Sequence, residues 1–450
     1  MPEPPISLWP DPDALGPVTD LYQLTMMAGY AAAGLAETPA TFELFVRHLP
    51  PGRAFLVFAG LEQAVGDLLR LAFSEEQVEA IHALPIFARV DPALIGQFRT
   101  LRFTGDLWSV PEGTIVFPNE PIVRVEAPLI QAQWVETYLI AALNYPTLVA
   151  SKAARIVAAA EGRPVYDFGL RRGHTPYAGM LAARAGYLAG LAGTSNVEAA
   201  RRLGIPAVGT MAHAWVQAYP TEMAAFATFA DIFGAGQTTL LVDTYDTLEG
   251  VRHAAAIEPP IRSIRIDSGD LARLSTQARA ILDEHGRRDV SIFASGDLDE
   301  YRIAELVATG APIDAFGVGT ELVTSRDAPA LSMVYKMVAL AGSGRIKLSP
   351  GKKTYPLAKQ VYRRLDARGR FAGDHVTQAD ETSEGERLLV PVIQGGRLAV
   401  PLPRLDEIQA HCARQLAALP DHLRGIAAQP SYPMSYSDVL EREAERMKVK

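Results

Sequence analysis

The chain has 450 residues, enough for about three units of ordinary domain size. Its 43 Lys and Arg residues against 51 Asp and Glu residues give a net charge of −8, which argues against a general nucleic-acid binder because such proteins need a basic face. With 48% hydrophobic and 21% charged residues, the composition is that of a globular protein rather than a disordered one.

The cysteine content and the hydropathy pattern narrow the choice of compartment. The single cysteine, Cys412, excludes an internal disulfide and a cysteine-based structural zinc site, and it suits a reducing environment. The first residues lack the basic and apolar regions of a signal peptide, and no apolar run reaches the roughly 18 residues of a membrane span. We therefore expect a cytoplasmic protein that has no membrane span and no nucleic-acid partner.

The first third of the chain predicts a mixture of helices and short strands. After a Pro-rich, irregular lead-in, Thr19 or Asp20 is placed to cap a helix. Alternating apolar residues predict a strand over 41–49. Short strands are expected within 107–126, and long apolar helices over 129–160.

From about residue 160 the pattern changes to short β-type segments that alternate with helical ones. Each of these six segments ends in small or acidic residues, and most are followed by a helical pattern; they span 164–169, 207–210, 240–246, 263–270, 291–297 and 314–320. Such alternation predicts a parallel sheet, and a β/α barrel builds its site from polar residues at the carboxyl ends of its strands. The competing architecture is an open doubly wound sheet, whose dinucleotide fingerprint is missing because Gly317-Val318-Gly319 lacks the third glycine. We therefore favour an irregular β/α barrel.

After residue 326 a second set of strands is predicted, at 333–340, 345–349, 360–365 and 388–393. We expect these strands to pack with the N-terminal segment. The predicted fold class is α/β, an irregular β/α barrel with a discontinuous α+β second domain. The predicted boundaries place the two parts of the α+β domain at 1–145 and 327–450, and the barrel with the active site at 146–326.

Two similar loops, IDSGDL (266–271) and FASGDL (293–298), each join a β-type segment to a helix. Glycine lets the backbone approach a ligand closely, a helix N-terminus attracts phosphate, and the Asp could accept ribose hydroxyls or hold a metal. The alternative is that Ser and Asp merely cap the next helix. Two such loops in one barrel, followed by the Gly-rich loop 317–320, favour a phosphate site.

His213 stands out among the nine histidines because it comes shortly after the β-type segment 207–210. At the end of a barrel strand beside Thr210, it could be a nucleophile or an acid–base group. The alternative is a structural or surface histidine. Zinc-protease, P-loop and hydrolase-elbow motifs are all missing from the sequence, so those functions receive no support.

Basic residues gather at Lys152 and Arg155, at Arg171-Arg172 after the strand end DFG, and at Arg265. Arginine forks bind carboxylates and phosphates through two hydrogen bonds. Simple charge balance against neighbouring acids is the alternative. In an acidic protein, arginines at strand ends predict an anionic substrate.

Several segments, spread over nearly the whole chain, follow the pattern of one known family. They are TDLYQLTMMAGY (19–30), DFGLRRGH (167–174), GTMAHAW (209–215), RIDSGDL (265–271), FASGDLDE (293–300), FGVGTELVTS (316–325), YPLAKQVYR (355–363) and SYPMSYS (431–437). Together they resemble the nicotinate phosphoribosyltransferases, which belong to the type II phosphoribosyltransferases. The resemblance implies the same irregular barrel with a discontinuous second domain.

The resemblance also implies a reaction in NAD biosynthesis. Nicotinate condenses with 5-phosphoribosyl 1-pyrophosphate to nicotinate mononucleotide and pyrophosphate, with Mg²⁺ required and ATP hydrolysis coupled through a phosphohistidine. His213 matches the phosphorylated histidine, and Asp267 and Asp297 are the carboxylates expected to assist catalysis. The matched substrate-binding positions are Tyr22, Thr210 and Arg265 near nicotinate, Thr320 at the phosphoribosyl phosphate, and Arg171, Gly296, Gly317 and Gly319 along the ribose and phosphates. No metal ligand is assigned.

The chain departs from the family pattern in two places, and the resemblance also implies an oligomeric state. Leu357 stands where the family pattern has glycine, which puts one loop detail in doubt. A Cys-rich metal-binding C-terminus, present in some relatives, is impossible with one cysteine. Relatives supply the ring matching Tyr22 from a neighbouring subunit, which implies a homodimer with shared active sites.

Three other functions stay open. A nicotinamide-specific enzyme on the same fold would carry Asp where this chain has Ser195, and a hydroxyl favours the carboxylate of nicotinate over the amide. A quinolinate phosphoribosyltransferase would need a site for two carboxylates and no phosphohistidine. A catalytically inactive sensor of nicotinate or a nucleotide would have no need of His213, both Ser-Gly-Asp loops and the arginines together.

Overall fold

The computed structural model describes residues 8–348, 354–427 and 431–448, so that residues 1–7 of the predicted lead-in and Ser349 of the predicted strand 345–349 lie outside the described residues. The strands are β1 (Pro39–Val46), β2 (Leu56–Val57), β3 (Asp106–Ser109), β4 (Ile115–Val116), β5 (Val123–Pro128), β6 (Val165–Asp167), β7 (Gly193–Thr194), β8 (Thr239–Leu241), β9 (Ser263–Ile266), β10 (Ser291–Ala294), β11 (Ala315–Val318), β12 (Met333–Leu340), β13 (Ser343–Gly344), β14 (Lys359–Leu365), β15 (Phe371–Gln378), β16 (Glu386–Arg387), β17 (Val390–Gln394), β18 (Arg397–Leu398) and β19 (Met434–Tyr436).

Helices connect and cover these strands. The α-helices are α1 (Leu21–Ala32), α2 (Leu61–Leu68), α3 (Glu75–His82), α4 (Pro92–Gly96), α5 (Leu129–Trp134), α6 (Glu136–Ala159), α7 (Pro176–Leu188), α8 (Val197–Leu203), α9 (His213–Gln217), α10 (Glu222–Phe233), α11 (Thr247–Ala255), α12 (Leu271–Glu284), α13 (Glu300–Ala308), α14 (Thr320–Val323), α15 (Leu405–Ala417) and α16 (Asp438–Lys448). Short 3-10 helices lie at Pro85–Phe87, Gln97–Thr100, Leu170–Arg172, Ala235–Gln237 and Asp421–Leu423.

Six parallel strands form a curled half-barrel in the order β7-β6-β11-β10-β9-β8. Their central residues, among them Leu240, Ile264, Ile292 and Phe316, are buried and apolar, as parallel strands covered on both faces require. Because the carboxyl ends of parallel strands meet at one edge, the loops that follow them converge there. This edge carries the candidate site.

A second large sheet joins the two ends of the chain. Its order is β13-β12-β1-β5-β3-β17-β18, so that strands from before the barrel lie beside strands from after it. Phe42 of β1, for example, lies opposite Met337 of β12 and Val125 of β5 in antiparallel register. The chain therefore leaves this domain to build the half-barrel and then returns. The exact boundaries at 145 and 326 stay a prediction.

Each large sheet has its own hydrophobic core. One core lies in and around the half-barrel and includes Leu241, Ile266 and Val318. The other lies under the antiparallel sheet and includes Phe42 and Trp134, whose indole Nε1 donates to the carbonyl oxygen of Gly16 at 3.0 Å. The predicted fold class, an irregular β/α barrel with a discontinuous α+β second domain, is confirmed. None of the helices in the described residues is both long and apolar enough to cross a bilayer.

Two predicted strands are wrong. At 207–210 only Ala207 forms an isolated bridge, to Thr194, and the two-residue β7 takes the place in the sheet, because Pro206 offers no N–H to continue a ladder. The predicted strand 345–349 is replaced over its described residues by irregular chain, because a tight turn with positive φ at Ala341 (48°) and Gly342 (72°) pairs β12 with β13 instead. The other predicted parallel segments are confirmed as the shorter strands β6, β8, β9, β10 and β11.

Candidate active site

A cavity of about 640 Å³ lies at the carboxyl edge of the half-barrel. Half of the sequence-predicted site residues line it: Arg171, Ser195, Thr210, His213, Arg265 and Asp267. The remaining walls are mostly apolar and comprise Phe168, Val197, Ala207, Val208, Gly209, Met211, Ala212 and Leu241. The edge of the sheet thus brings together side chains that lie as far as 96 positions apart in sequence, from Arg171 to Asp267.

Arg265 is the centre of the polar network in this cavity. Its guanidinium donates from Nε to Ser295 Oγ (2.7 Å), from Nη1 to Thr210 Oγ1 (3.0 Å) and from Nη2 to Asp267 Oδ1 (2.7 Å). The guanidinium carbon also lies 5.3 Å from the centre of the Phe168 ring, in cation–π geometry. Because a guanidinium has about five N–H donors, these contacts fix its orientation and leave two donors for a ligand.

Asp267 is held in turn by groups from two neighbouring strands. Its carboxylate accepts from Arg265 and from the buried Ser295 hydroxyl. Its backbone N–H donates to Asp243 Oδ2 at 3.1 Å, and Ser268 Oγ donates to the same oxygen at 2.5 Å. Within the described part of the chain, the other oxygen of Asp243, Oδ1, is buried without a hydrogen-bond partner. Asp243 was missed as a site residue, although its place in the acidic strand end 240–246 was a usable signal.

His213 is the first residue of the short helix α9 and lines the cavity. Its Nδ1 lies 3.1 Å from Thr244 Oγ1, in the loop after β8. Two residues later, the Trp215 indole Nε1 donates to the carbonyl oxygen of Ala225 at 3.0 Å, which ties α9 to α10. The imidazole is therefore held from one side while it faces the cavity.

Asp167 at the end of β6 positions two other walls of the cavity. Its carboxylate accepts from the N–H of Gly169 (2.7 Å) and from Thr194 Oγ1 (2.7 Å), and its carbonyl oxygen accepts from the N–H of Ser195 (2.8 Å). Burial raises the pKa of the Asp167 carboxyl, while the hydrogen bonds from Thr194 and Gly169 act in the opposite direction. These bonds fix the turn that leads to Arg171 and the loop that carries Ser195.

The other predicted phosphate-binding residues are not part of the lining of this cavity, and all of them except Gly317 lie at or beside the loops that follow β10 and β11. Gly296 and Asp297 form the turn after β10, with positive φ values of 97° and 46°. Gly319 and Thr320 stand at the start of α14, after β11. Gly317 lies inside β11, where a Cβ would fall 2.8 Å from a Phe168 ring carbon, so close packing of the half-barrel already accounts for this glycine.

Tyr22 is the predicted residue that the structure separates from the others. It lies on α1, in the first domain, and is 49% exposed. Partial burial, followed by the nearby carboxylates of Glu136 and Asp20, raises the pKa of its phenol. In the described residues of a single chain it does not line the cavity.

For Lys152 and Arg155, two of the basic residues that gather in the sequence, the structure favours the alternative of charge balance against acidic neighbours. Both lie on the buried face of α6, where Lys152 Nζ pairs with Glu300 (2.6 Å) and Asp327 (2.9 Å), and Arg155 Nε pairs with Glu300 (2.9 Å). Arg53 pairs with Asp327 at 2.6 Å in the same network. A helical pattern in the sequence shows that a residue lies on a helix, but it does not show whether that residue faces a carboxylate. Buried charges such as these need an oppositely charged partner.

Metal-binding residues do not form a preassembled site in the part of the chain that the structure describes: no group of three or more His, Cys, Asp or Glu residues is placed to hold an ion. Asp267 and Asp297 offer oxygen ligands after neighbouring strands, β9 and β10. Oxygen is the ligand type that Mg²⁺ prefers, and Mg²⁺ is commonly bound by about one or two carboxylates together with substrate phosphates. The residues present therefore fit a cation that arrives with a phosphorylated substrate.

Comparison with known proteins identifies similar chains over most of the sequence. The family models that match are the nicotinate phosphoribosyltransferase N-terminal domain over residues 18–144, the nicotinate phosphoribosyltransferase family over 164–362 and the C-terminal domain over 381–443. A nicotinate phosphoribosyltransferase of Mycobacterium tuberculosis is 48% identical over 438 residues, covering 96% of this chain and 93% of that protein. The Bacillus subtilis nicotinate phosphoribosyltransferase is 40% identical, covering 95% of this chain and 94% of that protein. The crystal structure of human nicotinic acid phosphoribosyltransferase matches with a TM-score of 0.85 at 27% identity, covering 96% of this chain and 100% of that one.

Proposed function

The chain belongs to the nicotinate phosphoribosyltransferase family and is an enzyme of NAD biosynthesis, and we propose that it couples nicotinate mononucleotide formation to ATP hydrolysis through a phosphohistidine at His213. Its substrates are nicotinate, 5-phosphoribosyl 1-pyrophosphate and ATP. The observation that carries the proposal is the cavity in which His213, Arg265 and Asp267 meet.

The cavity suits a substrate with one carboxylate. Arg265 keeps two N–H donors beyond its bonds to Ser295, Thr210 and Asp267. Ser195 adds a neutral hydroxyl, whereas an acidic side chain at this position would repel a carboxylate. Nicotinate is therefore the preferred base over nicotinamide.

His213 supplies the nucleophile for ATP. The imidazole nitrogen that faces the cavity forms a bond to the γ-phosphorus, while the bond from that phosphorus to the bridging oxygen breaks and ADP leaves with the electron pair. Phosphorylation adds about −1.5 to −2 charges beside a basic wall. This charge draws Arg171 toward the second substrate, beside Arg265, which is already oriented by its hydrogen bonds.

Carboxylates and a cation serve the transfer of the ribosyl group. Loss of pyrophosphate from the anomeric carbon develops positive charge on the ribose, which Asp267 and Asp297 can stabilise. The same two residues would hold Mg²⁺, which when bound would supply positive charge against the pyrophosphate. Gly319 and Thr320 at the start of α14 would bind the phosphoribosyl phosphate.

The active unit is a homodimer in which Tyr22 serves the neighbouring subunit's cavity. Tyr22 is half exposed on α1 and does not line its own chain's cavity among the described residues, so its ring is available to another subunit. A closed pair is the commonest oligomer, and a ring stacked on a flat base adds about 1 kcal/mol. When inactive Tyr22→Ala and His213→Ala proteins exchange subunits, activity should return; no recovery despite proven exchange would place both residues in one chain's site.

A side-by-side assay tests the proposed reaction. Nicotinate, nicotinamide and quinolinate are each offered with 5-phosphoribosyl 1-pyrophosphate, with and without ATP, and nucleotide, pyrophosphate and ADP are measured. The proposal predicts turnover of nicotinate, stimulated by ATP, with ADP formed in step with the mononucleotide. Equal turnover of nicotinamide, release of carbon dioxide from quinolinate, or binding without turnover would each contradict it.

A further inference from the structure

Thr244 contacts the ring nitrogen Nδ1 of His213. It follows β8 and is half-buried, and its Oγ1 lies 3.1 Å from His213 Nδ1. Neither the motifs nor the resemblance pointed to this threonine. Since Nδ1 is engaged by Thr244, the ring nitrogen left to face the cavity is Nε2.

Both sides of this contact are held in place by their own elements. On the side of Thr244, Asp243 accepts from Ser268 and from the N–H of Asp267, and Asp246 caps α11 by accepting from two backbone N–H groups, each at 3.0 Å. On the side of His213, Trp215 ties α9 to α10. A β-branched side chain such as threonine is also stiff about χ1. The hydroxyl is therefore presented to Nδ1 in a fixed position.

The direction of the hydrogen bond decides whether His213 can act as a nucleophile. If Nδ1–H donates to the hydroxyl, Nε2 keeps its lone pair toward the cavity; if the hydroxyl donates to Nδ1, Nε2 carries the proton and cannot attack phosphorus. We propose that Thr244 is a positioning residue that accepts from Nδ1–H of His213 and so selects the tautomer in which Nε2 is phosphorylated. This inference rests on the proposed function, because only phosphoryl transfer requires that lone pair.

The step balances without a further reactant. Nε2 forms the N–P bond, the bond between the γ-phosphorus and the bridging oxygen breaks, and ADP leaves with its electrons. The proton stays on Nδ1, hydrogen-bonded to Thr244. Positive charge that develops on the ring during attack is thereby held next to an acceptor.

Three variants separate this function from a merely structural one. Thr244→Val removes the hydroxyl and keeps the shape, Thr244→Ser keeps the hydroxyl, and Thr247→Val makes the same change at the first residue of α11 as a control. The measurement is the initial rate of ³²P incorporation from γ-labelled ATP. Loss of one hydrogen bond predicts a rate about tenfold lower for Thr244→Val, with Thr244→Ser and Thr247→Val within about twofold of wild type. Thermal melts check that each variant folds, and Thr244→Ala repeats the test should valine disturb the loop.

A second readout observes the tautomer directly. In protein labelled with ¹⁵N-histidine, the His213 signals are those lost in His213→Ala, and they should be those of the Nδ1–H form, shifting toward a mixture in Thr244→Val. Two results would overturn the inference and leave the proposed function standing, provided that the wild-type enzyme takes up label. One is a Thr244→Val variant that takes up label as fast as the wild type. The other is a wild-type His213 in the Nε2–H form. A wild-type enzyme that takes no label overturns both.

Discussion

The two Ser-Gly-Asp turns share three consecutive residues and make different contacts. In the first turn, Ser268 donates to Asp243, and Asp270 caps α12 by accepting from the N–H of Arg273 at 3.2 Å. In the second turn, Ser295 lies buried between Arg265 and Asp267. The cap of its helix, α13, is provided by another residue further along the chain.

That cap is Asp299, which accepts from the N–H of Arg302 at 2.8 Å. In the first turn α12 begins at Leu271, directly after the Asp of the motif, whereas in the second turn α13 begins only at Glu300, three residues after Asp297. Asp297 therefore does not cap the helix. It sits exposed, with a φ of 46°. The position at which the next helix begins therefore decides whether the Asp of the motif stabilises a helix or is free to meet a substrate.

The glycines should show the largest difference between the turns. A Cβ at Gly296 would lie 2.0 Å from the carbonyl oxygen of Asp267, whereas at Gly269 it would meet only the end of the Leu274 side chain, at 2.8 Å. Both have positive φ, so Gly269→Ala should cost about 1–2 kcal/mol from backbone strain, and Gly296→Ala about 2–5 kcal/mol, because the clash adds to the strain. Urea unfolding measures both. Equal losses in the two variants would show that the close approach at Gly296 relaxes easily.

The serines should differ next. Ser295→Ala removes the buried hydroxyl that accepts from Arg265 and donates to Asp267. We therefore expect the free energy of unfolding to fall by about 1–3 kcal/mol and kcat/KM for nicotinate to fall clearly. Ser268→Ala removes a contact at an exposed residue and should lose about 0.5–1.5 kcal/mol. Matched unfolding curves and steady-state kinetics make the comparison. Normal kinetics in Ser295→Ala would remove the reason for treating Arg265 as the centre of the network.

The aspartates should differ least in stability, and here the substitution in the first turn should cost more stability than the substitution in the second. Asp270→Ala loses a helix cap, which costs about 1 kcal/mol, and Asp299→Ala provides the same loss on α13. Asp297→Ala should leave the free energy of unfolding within about 0.5 kcal/mol, as for an exposed residue, yet lower kcat at least about tenfold. A stable and fully active Asp297→Ala enzyme would assign Asp297 no part in catalysis.

Local patterns predicted much of the half-barrel, because β6, β9, β10 and β11 have apolar interiors and polar ends. The pattern could not identify β7, since two residues are too short to show alternation, and it misassigned 207–210, where Pro206 limits pairing to a bridge. Features that depend on contacts between distant residues were out of reach of the sequence. The burial of Lys152 against Glu300 is one such contact.

For the site, too, local patterns identified some residues, and contacts between distant residues stayed hidden. Proximity to a predicted strand end selected Arg265, Asp267 and His213, which the structure brings to one cavity, although the segment predicted before His213 forms only a bridge at Ala207. Ser295 and Thr244 were missed because a hydroxyl becomes informative only when its partner is known, 30 residues away for Ser295 and 31 for Thr244. The resemblance to a family implied a role for Tyr22 in a neighbouring subunit's site. The structure of one chain cannot test that role, because Tyr22 does not line the cavity of its own chain among the described residues.

Labelling with γ-³²P ATP tests the central claim, that His213 carries phosphate during turnover, most directly. Wild-type protein should take up label that is lost in acid and kept in base, and nicotinate with 5-phosphoribosyl 1-pyrophosphate should discharge it. His213→Ala should take up none while keeping its thermal stability, and His82→Ala, an exposed histidine on α3, should label as wild type does. Label of the same acid and base stability on His213→Ala would contradict the account.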